Sequence, residues 1–368
     1  MSNLTVGLAI IGGLLLAAVV AHGAWTSRRN TPRQASTEES DTLPPGGYDE
    51  AFTGTERNEP TFDPLPIGAE GGAHSDADGG NLIDPMLGKL PAPEKKPGLD
   101  ALIDVIANIA LDNHVSGEAA IAAMPPTRRA GSKPFAVEGL NEATRQWETP
   151  ENGAWYEAFQ AGVQLANRTG ALNEIEYSEF VMKAQAFADT INGTPDFPEM
   201  LDEVARGREL DQFASSHDAQ LSFTLRARSA AWSPGYVHQN AARLGFVAGV
   251  IPGRMVLSSA EPGLPPLLGL SFDTQAAMAE DPAQSAIREV TLSLDVPQVY
   301  RTEQPFVRMR EAAQILAEGM DGVITDDNGH ILQPEAMDVI GADLEKLYDT
   351  LDARDLSAGS VLARRLFS

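Results

Sequence analysis

Residues 313–334 read AQILAEGMDGVITDDNGHILQP, and the fold is read outward from them. The run from Phe306 to Met320 has helical character and stops at Gly322. Val323-Ile324-Thr325-Asp326 and His330-Ile331-Leu332-Gln333 then flank Asp327-Asn328-Gly329, and Asn-Gly is the strongest short-range hairpin signal because both residues accept positive φ. Pro334 suits the first position of a helix, where its missing N–H leaves nothing unpaired. Met337, Ile340, Leu344, Leu347 and Leu351 follow at helical spacing. The hairpin also mimics a calcium loop, with Asp326, Asn328, Gly329 and Glu335 at matching positions. Ile324 stands where the first ligand belongs and Pro334 interrupts the loop, so no metal is expected.

Upstream of this block, short alternating runs interrupted by longer helical ones indicate α+β. Ile103, Val105, Ala107 and Ile109 alternate, and Ser116–Met124 reads as a short helix stopped by Pro125-Pro126. Strands are expected near Phe135–Leu140 and Trp155–Ala166, then a helix over Glu174–Asn192 with Val181, Ala184, Ala188 and Ile191 on one stripe. The order then repeats. Leu221, Phe223, Leu225 and Ala227 alternate, a helix follows at Gly235–Leu244, and strands are expected at Val247–Ser258, Leu267–Asp273 and Glu289–Val296. The two long helices also match, AQAFADTING at 184–193 against AQILAEGMDG at 313–322, a constant offset of 129 residues. The expectation is two tandem units, each an antiparallel sheet with helices on one face, at residues 98–218 and 219–356, with a flexible tail at 357–368.

The whole chain carries 52 acids against 27 bases, a formal charge of −25, and no cysteine. Such a deficit of Lys and Arg disfavours nucleic acid as a partner. The lack of cysteine excludes disulfides, thiolate nucleophiles and Cys-ligated metals. Six histidines show no metal-ligand spacing. No nucleophile elbow, phosphate loop or dinucleotide fingerprint occurs, so neither an enzyme nor a cofactor is expected.

The charge is uneven along the chain. Leu4–Trp25 contains no charged residue and as a helix is about 33 Å long, enough to span a bilayer. A cleaved signal peptide is the rival reading, opposed by the absence of a basic segment before Leu4 and by Arg28-Arg29 directly after. Residues 1–27 are therefore expected as a single-pass anchor in membrane lipid, with Trp25, Arg28 and Arg29 at the interface, the N-terminus outside and the rest cytoplasmic. Residues 28–97 are expected as an acidic, Pro- and Gly-rich spacer with an r.m.s. span of roughly 45 Å. Within it, Asn81–Leu87 is more apolar, most simply a sticky patch in a linker with a docking peptide as the second reading, and Asp76–Gly80 is an incomplete calcium loop most simply read as a turn.

Ala21-His22-Gly23-Ala24-Trp25-Thr26-Ser27-Arg28-Arg29 at the end of the apolar segment resembles the membrane exit of the ZipA family of bacterial division proteins. The run from Ala313 through Asp327 with Gln333-Pro334 is similar to the closing helix, hairpin and helix of that family's FtsZ-binding domain. Leu244-Gly245-Phe246 and Val290–Pro297 fall in family order. The resemblance implies a split β-α-β sheet, an inner-membrane protein at midcell, and binding of the FtsZ C-terminal peptide in a shallow apolar groove on the open sheet face. Alternation places Ser222, Thr224, Arg226, Arg228, Gly269, Ser271, Asp273, Thr291, Ser293 and Asp295 on that face here. The set is polar where family grooves are apolar. Either the tail is held by polar contacts that include Thr224, Arg226, Arg228, Gly269, Ser271, Thr291 and Ser293, or the working groove lies on the first unit, or this is an ordinary solvated face. The runner-up function is a related anchored adaptor that recruits another division or envelope protein.

Overall fold

A computed structural model describes residues 33–34, 98–281 and 284–368. The expected anchor with Trp25, Arg28 and Arg29, the possible docking peptide and the Asp76–Gly80 turn lie outside them, as does most of the expected spacer. Among the described residues no helix is long and apolar enough to cross a membrane.

The first half is built from β1 (Asp104–Ser116), α1 (Gly117–Ala123), β2 (Arg129–Ala130), β3 (Lys133–Asn141), β4 (Trp147–Glu148), β5 (Trp155–Gln164), the small β6 (Ala166–Asn167) and β7 (Gly170–Ala171), α2 (Glu174–Thr190), β8 (Gly193–Asp196) and α3 (Met200–His217). Its antiparallel sheet has the order β2-β3-β5-β1-β8, with β4 beside β3. Val105, Ala107 and Ile109 of β1 and Phe159, Ala161 and Val163 of β5 are buried, as the alternation requires. The α2 helix covers them, with Phe187 edge-on to Phe159 at 5.3 Å and Phe180 beside Phe135 at 6.2 Å. Asn173 caps α2 in a capping box with Glu176.

The second half comprises β9 (Gln220–Ala227), α4 (Pro234–Ala242), β10 (Val247–Ala248), β11 (Arg254–Leu257), β12 (Leu268–Ser271), the single turn α5 (Thr274–Ala277), β13 (Glu289–Asp295), α6 (Pro305–Met320), β14 (Gly322–Thr325), α7 (Pro334–Asp352) and α8 (Val361–Leu366). Its sheet order is β10-β11-β12-β13-β9-β14. Phe223, Leu225, Leu268, Leu270, Leu292 and Leu294 point under α6, where Phe306 meets Phe223 at 6.2 Å. The path β1-α1-β3-β5-α2-β8-α3 and its order β3-β5-β1-β8 run parallel to β9-α4-β12-β13-α6-β14-α7 and β12-β13-β9-β14. Both long helices end on a left-handed residue, Asn192 and Asp321, each with φ of 55°. These are the residue types that tolerate that conformation, and each is followed by the glycine that opens the next strand.

The expected helices and most of the expected strands occur, but Val247–Ser258 divides into β10 and β11, His330–Gln333 supplies only an isolated bridge at Ile331, and α3 was not anticipated. Its buried stripe consists of Glu203, Val204, Gly207, Leu210 and Ala214, so a carboxylate and a glycine interrupt the apolar period. The glycine is required by packing, since a Cβ on Gly207 would lie 2.9 Å from the Leu165 carbonyl.

Residues 357–368 are not a flexible tail. Ser360 caps α8, and Ala363, Leu366 and Phe367 are buried. The approach needs Gly359, whose φ of +80° places a Cβ position 2.4 Å from the Tyr300 nitrogen. Beyond it, Arg365 forks onto Asp104 at 2.6 and 2.9 Å, and the Gln164 amide donates to the Arg365 carbonyl at 2.9 Å. Gln298 donates to the Phe367 carbonyl at 2.7 Å. The C-terminus therefore bonds to both halves. A second joint is Arg168, on the β6–β7 turn, whose guanidinium spans Asp218 and Asp295 at 2.6–2.8 Å. These two carboxylates hold its pKa above the ordinary arginine value.

Burial lifts the Asp104 carboxyl above its ordinary 3.8 despite the opposing pull of Arg365. The folded protein therefore binds this proton before the unfolded chain does, and stability falls as pH rises through that window. Removing Arg365 widens the window. Arg365→Ala is expected to cost about 3–5 kcal/mol at neutral pH, because it strands a buried carboxylate. Urea denaturation should show the loss shrinking as pH approaches the ordinary carboxylate value.

Candidate functional site

The outer face of the second sheet is assembled by register. Ser222, Ser293, Gly269, Val256 and Val247 stand side by side across five strands. The next row is Thr325, Thr224, Thr291, Ser271 and Arg254, and a third joins Val323, Arg226 and Glu289. Paired residues in an antiparallel sheet share a face, so six of the seven partner-binding candidates lie together: Thr224, Arg226, Gly269, Ser271, Thr291 and Ser293. The surface is a shallow track of hydroxyls. The Ser293 hydroxyl lies over Gly269, 2.6 Å from where a Cβ would be, so the track is continuous there. At one end an open depression of about 370 Å³ is lined by Ser271, Asp273, Glu289 and Thr291.

Arg228 departs from this set. It follows the end of β9, and its Nε donates to the Gly322 carbonyl at 3.1 Å, which ties its side chain to the edge strand. Arg226 remains on the face, its Nε 3.1 Å from Glu289 and its Nη1 against the Gly329 turn. Arg254, Val256, Val247, Val323 and Glu289 complete the face and were not singled out from sequence. Val247 and Val323 stand on the short edge strands β10 and β14, Arg254 and Val256 on the four-residue β11 and Glu289 at the start of the central β13, and Val247 with Val250 and Ile251 at the β10–β11 hairpin leaves an exposed apolar corner. The alternation Arg254-Met255-Val256-Leu257 was the available signal.

The outer face of the first sheet has a different chemistry. Ile106, Gly162 and Ala136 form one row, and Ala110, Ala158 and Leu140 another. Between them Gln160 donates to Glu138 at 2.8 Å. The incoming chain crosses this face. The Leu99 N–H donates to Glu138 at 3.0 Å, and the Leu99 side chain occupies the space above Gly162, 2.5 Å from where a Cβ would be. The apolar face is thus partly covered by the incoming chain, while the polar face is covered only toward β14, where the 326–330 hairpin meets Ser222 and Arg226 and Thr325 is buried.

Two further constellations bear on chemistry. Ser132 and Lys133 lie on the β2–β3 turn, with Lys133 Nζ donating to Ser132 Oγ at 2.7 Å and burial lowering the Lys133 pKa. This resembles a Ser–Lys nucleophile pair. However, the Gly131 and Ser132 N–H groups that would stabilise an oxyanion donate to the Glu179 and Glu176 carboxylates, both at 2.8 Å. The cluster fastens the turn to α2. In the 326–330 hairpin the Asp326 carboxylate accepts the Asn328 and His330 N–H groups at 2.9 and 2.7 Å, bonds that hold its pKa below the ordinary value. Among the described residues no group of three or more His, Asp or Glu is placed to hold a metal ion.

Residues 276–342 match the family model described as ZipA, C-terminal FtsZ-binding domain. The match spans β13, α6, β14, the hairpin and the first half of α7, and includes Glu289, Thr291, Ser293 and Val323 of the open face. No curated protein matches the chain.

The Arg226–Glu289 pair is solvent-screened, with side chains 41% and 57% exposed. Glu289→Gln is therefore expected to change stability by less than about 1 kcal/mol in urea denaturation. A loss well above that would mean the pair supports the sheet and is not a free surface contact.

Proposed function

We propose that this chain is a membrane-anchored adaptor of bacterial division. In this reading it binds the C-terminal peptide of FtsZ on an outer sheet face and tethers FtsZ polymers to the cytoplasmic membrane. The carrying observation is that the 276–342 match falls on the strands and hairpin that frame the open face of the second sheet. The parallel element order of the two halves and the matched helix ends support reading them as tandem copies of one unit. The Leu4–Trp25 segment supplies the anchor, with the N-terminus in the periplasm and the domains in the cytoplasm.

The second face is favoured over the first because the family match falls on it and because Val247, Glu289 and Ser293 are exposed there. A bound peptide would take hydrogen bonds from the hydroxyl track and a charge contact from Arg226 once Glu289 yields it. The action is tethering. A filament offers many copies of the tail, and membrane-bound adaptors engage them with the gain of effective concentration.

Titration of the full chain with the FtsZ tail peptide is expected to show saturable binding. Arg226→Glu should weaken it at least tenfold, about 1.4 kcal/mol, while Glu289→Gln leaves it equal or tighter. Absence of saturable binding to the wild type would sink the reading.

The polarity of the face favours one alternative, an anchored adaptor that has exchanged FtsZ for another division or envelope protein. A fluorescent fusion separates the two. The FtsZ tether is expected to form a midcell band that disperses when FtsZ is depleted; uniform membrane signal would support the alternative.

A further inference from the structure

Within the expected spacer, Arg33 and Gln34 are described, and Arg33 is paired. The Arg33 N–H donates to the Ala231 carbonyl at 2.6 Å, and the Ser233 N–H donates to the Arg33 carbonyl at 2.8 Å, a parallel bridge to Trp232. Trp232 faces the other way, exchanging two backbone bonds of 2.8 Å with Ile287. Its buried indole donates to the Met320 carbonyl at 2.7 Å, which fixes the segment in place. The Arg33 guanidinium reaches Asp321 at 2.8 Å. Asp321 is held ready for it. The residue caps α6 in the left-handed region, its carbonyl accepts the Arg228 N–H at 3.0 Å, and its carboxylate also accepts the Ser229 hydroxyl at 2.7 Å.

We infer that Ala231–Ser233 with Asp321 is a docking site for an extended, arginine-bearing segment, and that its occupant is the chain around Arg33, just after the expected membrane exit. The recognition mode is strand addition, with backbone bonds supplying attachment and the Arg–Asp contact supplying register. Without the occupant, the Ala231 carbonyl and Ser233 N–H would present an open strand edge. The corresponding helix end of the first half carries the neutral Asn192 in place of Asp321, so this dock belongs to the second half.

The dock rests on geometry alone; its consequence for reach rests on the membrane reading above. From Trp25 to Arg33 an extended chain spans at most about 28 Å. Docked, the second half is held within that distance of the bilayer, and residues 35–97 are closed between two points of one folded body. Released, the tether lengthens to the whole stretch before Gly98, with the r.m.s. span of roughly 45 Å expected of such a spacer. The side chains of the ion pair are 36% and 39% exposed, so it is screened and weak, and the dock is suited to opening and closing.

The test uses the full chain in nanodiscs and follows amide hydrogen exchange at Ser233. Arg33→Pro removes the N–H that meets Ala231 and leaves every folded element untouched. Exchange at Ser233 is expected to accelerate at least tenfold in Arg33→Pro, with Trp232, whose N–H goes to Ile287, little changed. Because the protein has no cysteine, a spin-label pair at Ala35→Cys and Ala230→Cys reads the same event. The pair should give a single short distance in the wild-type background and a broad, long distribution with Arg33→Pro. Equal Ser233 exchange in the two proteins, or a broad distribution in both, overturns the dock. FtsZ-peptide binding read on the same samples separates the two ideas: its absence removes the tethering reading and leaves the exchange result standing.

Discussion

A guanidinium at the C-terminus and a carboxylate at the start of the first long strand hold this architecture together. Asp104 opens β1 with its side chain fully buried, a position where an unpaired carboxylate costs several kcal/mol in lost hydration. Arg365 meets it with two parallel bonds, and the carbonyls around Arg365 and Phe367 take amide protons from Gln164 in one half and Gln298 in the other. Two sheets that could have been separate beads are thereby closed into one body, reinforced where Arg168 bridges to Asp218 and Asp295. Both outer faces thereby inherit a fixed relation to one another.

That constraint explains where sequence reasoning succeeds and where it stops. Period-two alternation identifies the buried residues of β1, β9, β12 and β13, because a strand with one buried face must alternate. The Asn-Gly turn and Pro334 fix the hairpin and the following helix through local stereochemistry. Contacts between residues far apart leave no such local trace. Arg365 and Asp104 are 261 positions apart, and Arg33 and Asp321 are 288 apart. Helix α3 escapes because its buried stripe includes Glu203 and Gly207, and α8 because six residues are too few to show a period.

The candidate face was legible in the same partial way. Alternation selects which side chains point out, and register then places Thr224 beside Thr291 and Thr291 beside Ser271. It does not report that a long side chain will turn back on the backbone, as Arg228 does toward Gly322, or that Leu99 will cross the other sheet. The contrast between the faces is a consequence of that crossing. Ile106, Ala136, Ala158 and Leu140 offer apolar area, yet a strap of the same chain lies across part of it. The other face is lined by half-buried serines and threonines, with Ser293 exposed.

A polar face changes what binding there can be worth. Apolar burial contributes roughly 25 cal/mol per Å², but a hydroxyl that trades water for a peptide group nets only about 0.5–1.5 kcal/mol. In the proposed reading a track of Thr224, Ser271, Thr291 and Ser293 would therefore make a weak, fast contact whose direction is set by Arg226 and its neighbours. Weak contacts hold a polymer only when many act together, so reach and local concentration count for as much as the site itself. The Arg33 dock acts on that quantity. In the proposed anchored arrangement, a copy held close to the bilayer samples a thin layer at high local concentration, and a released copy samples a deeper one at lower concentration. In that proposed arrangement an acidic domain near a negative membrane surface is repelled from it, and the two backbone bonds of Arg33 to Ala231 and Ser233 act against that repulsion.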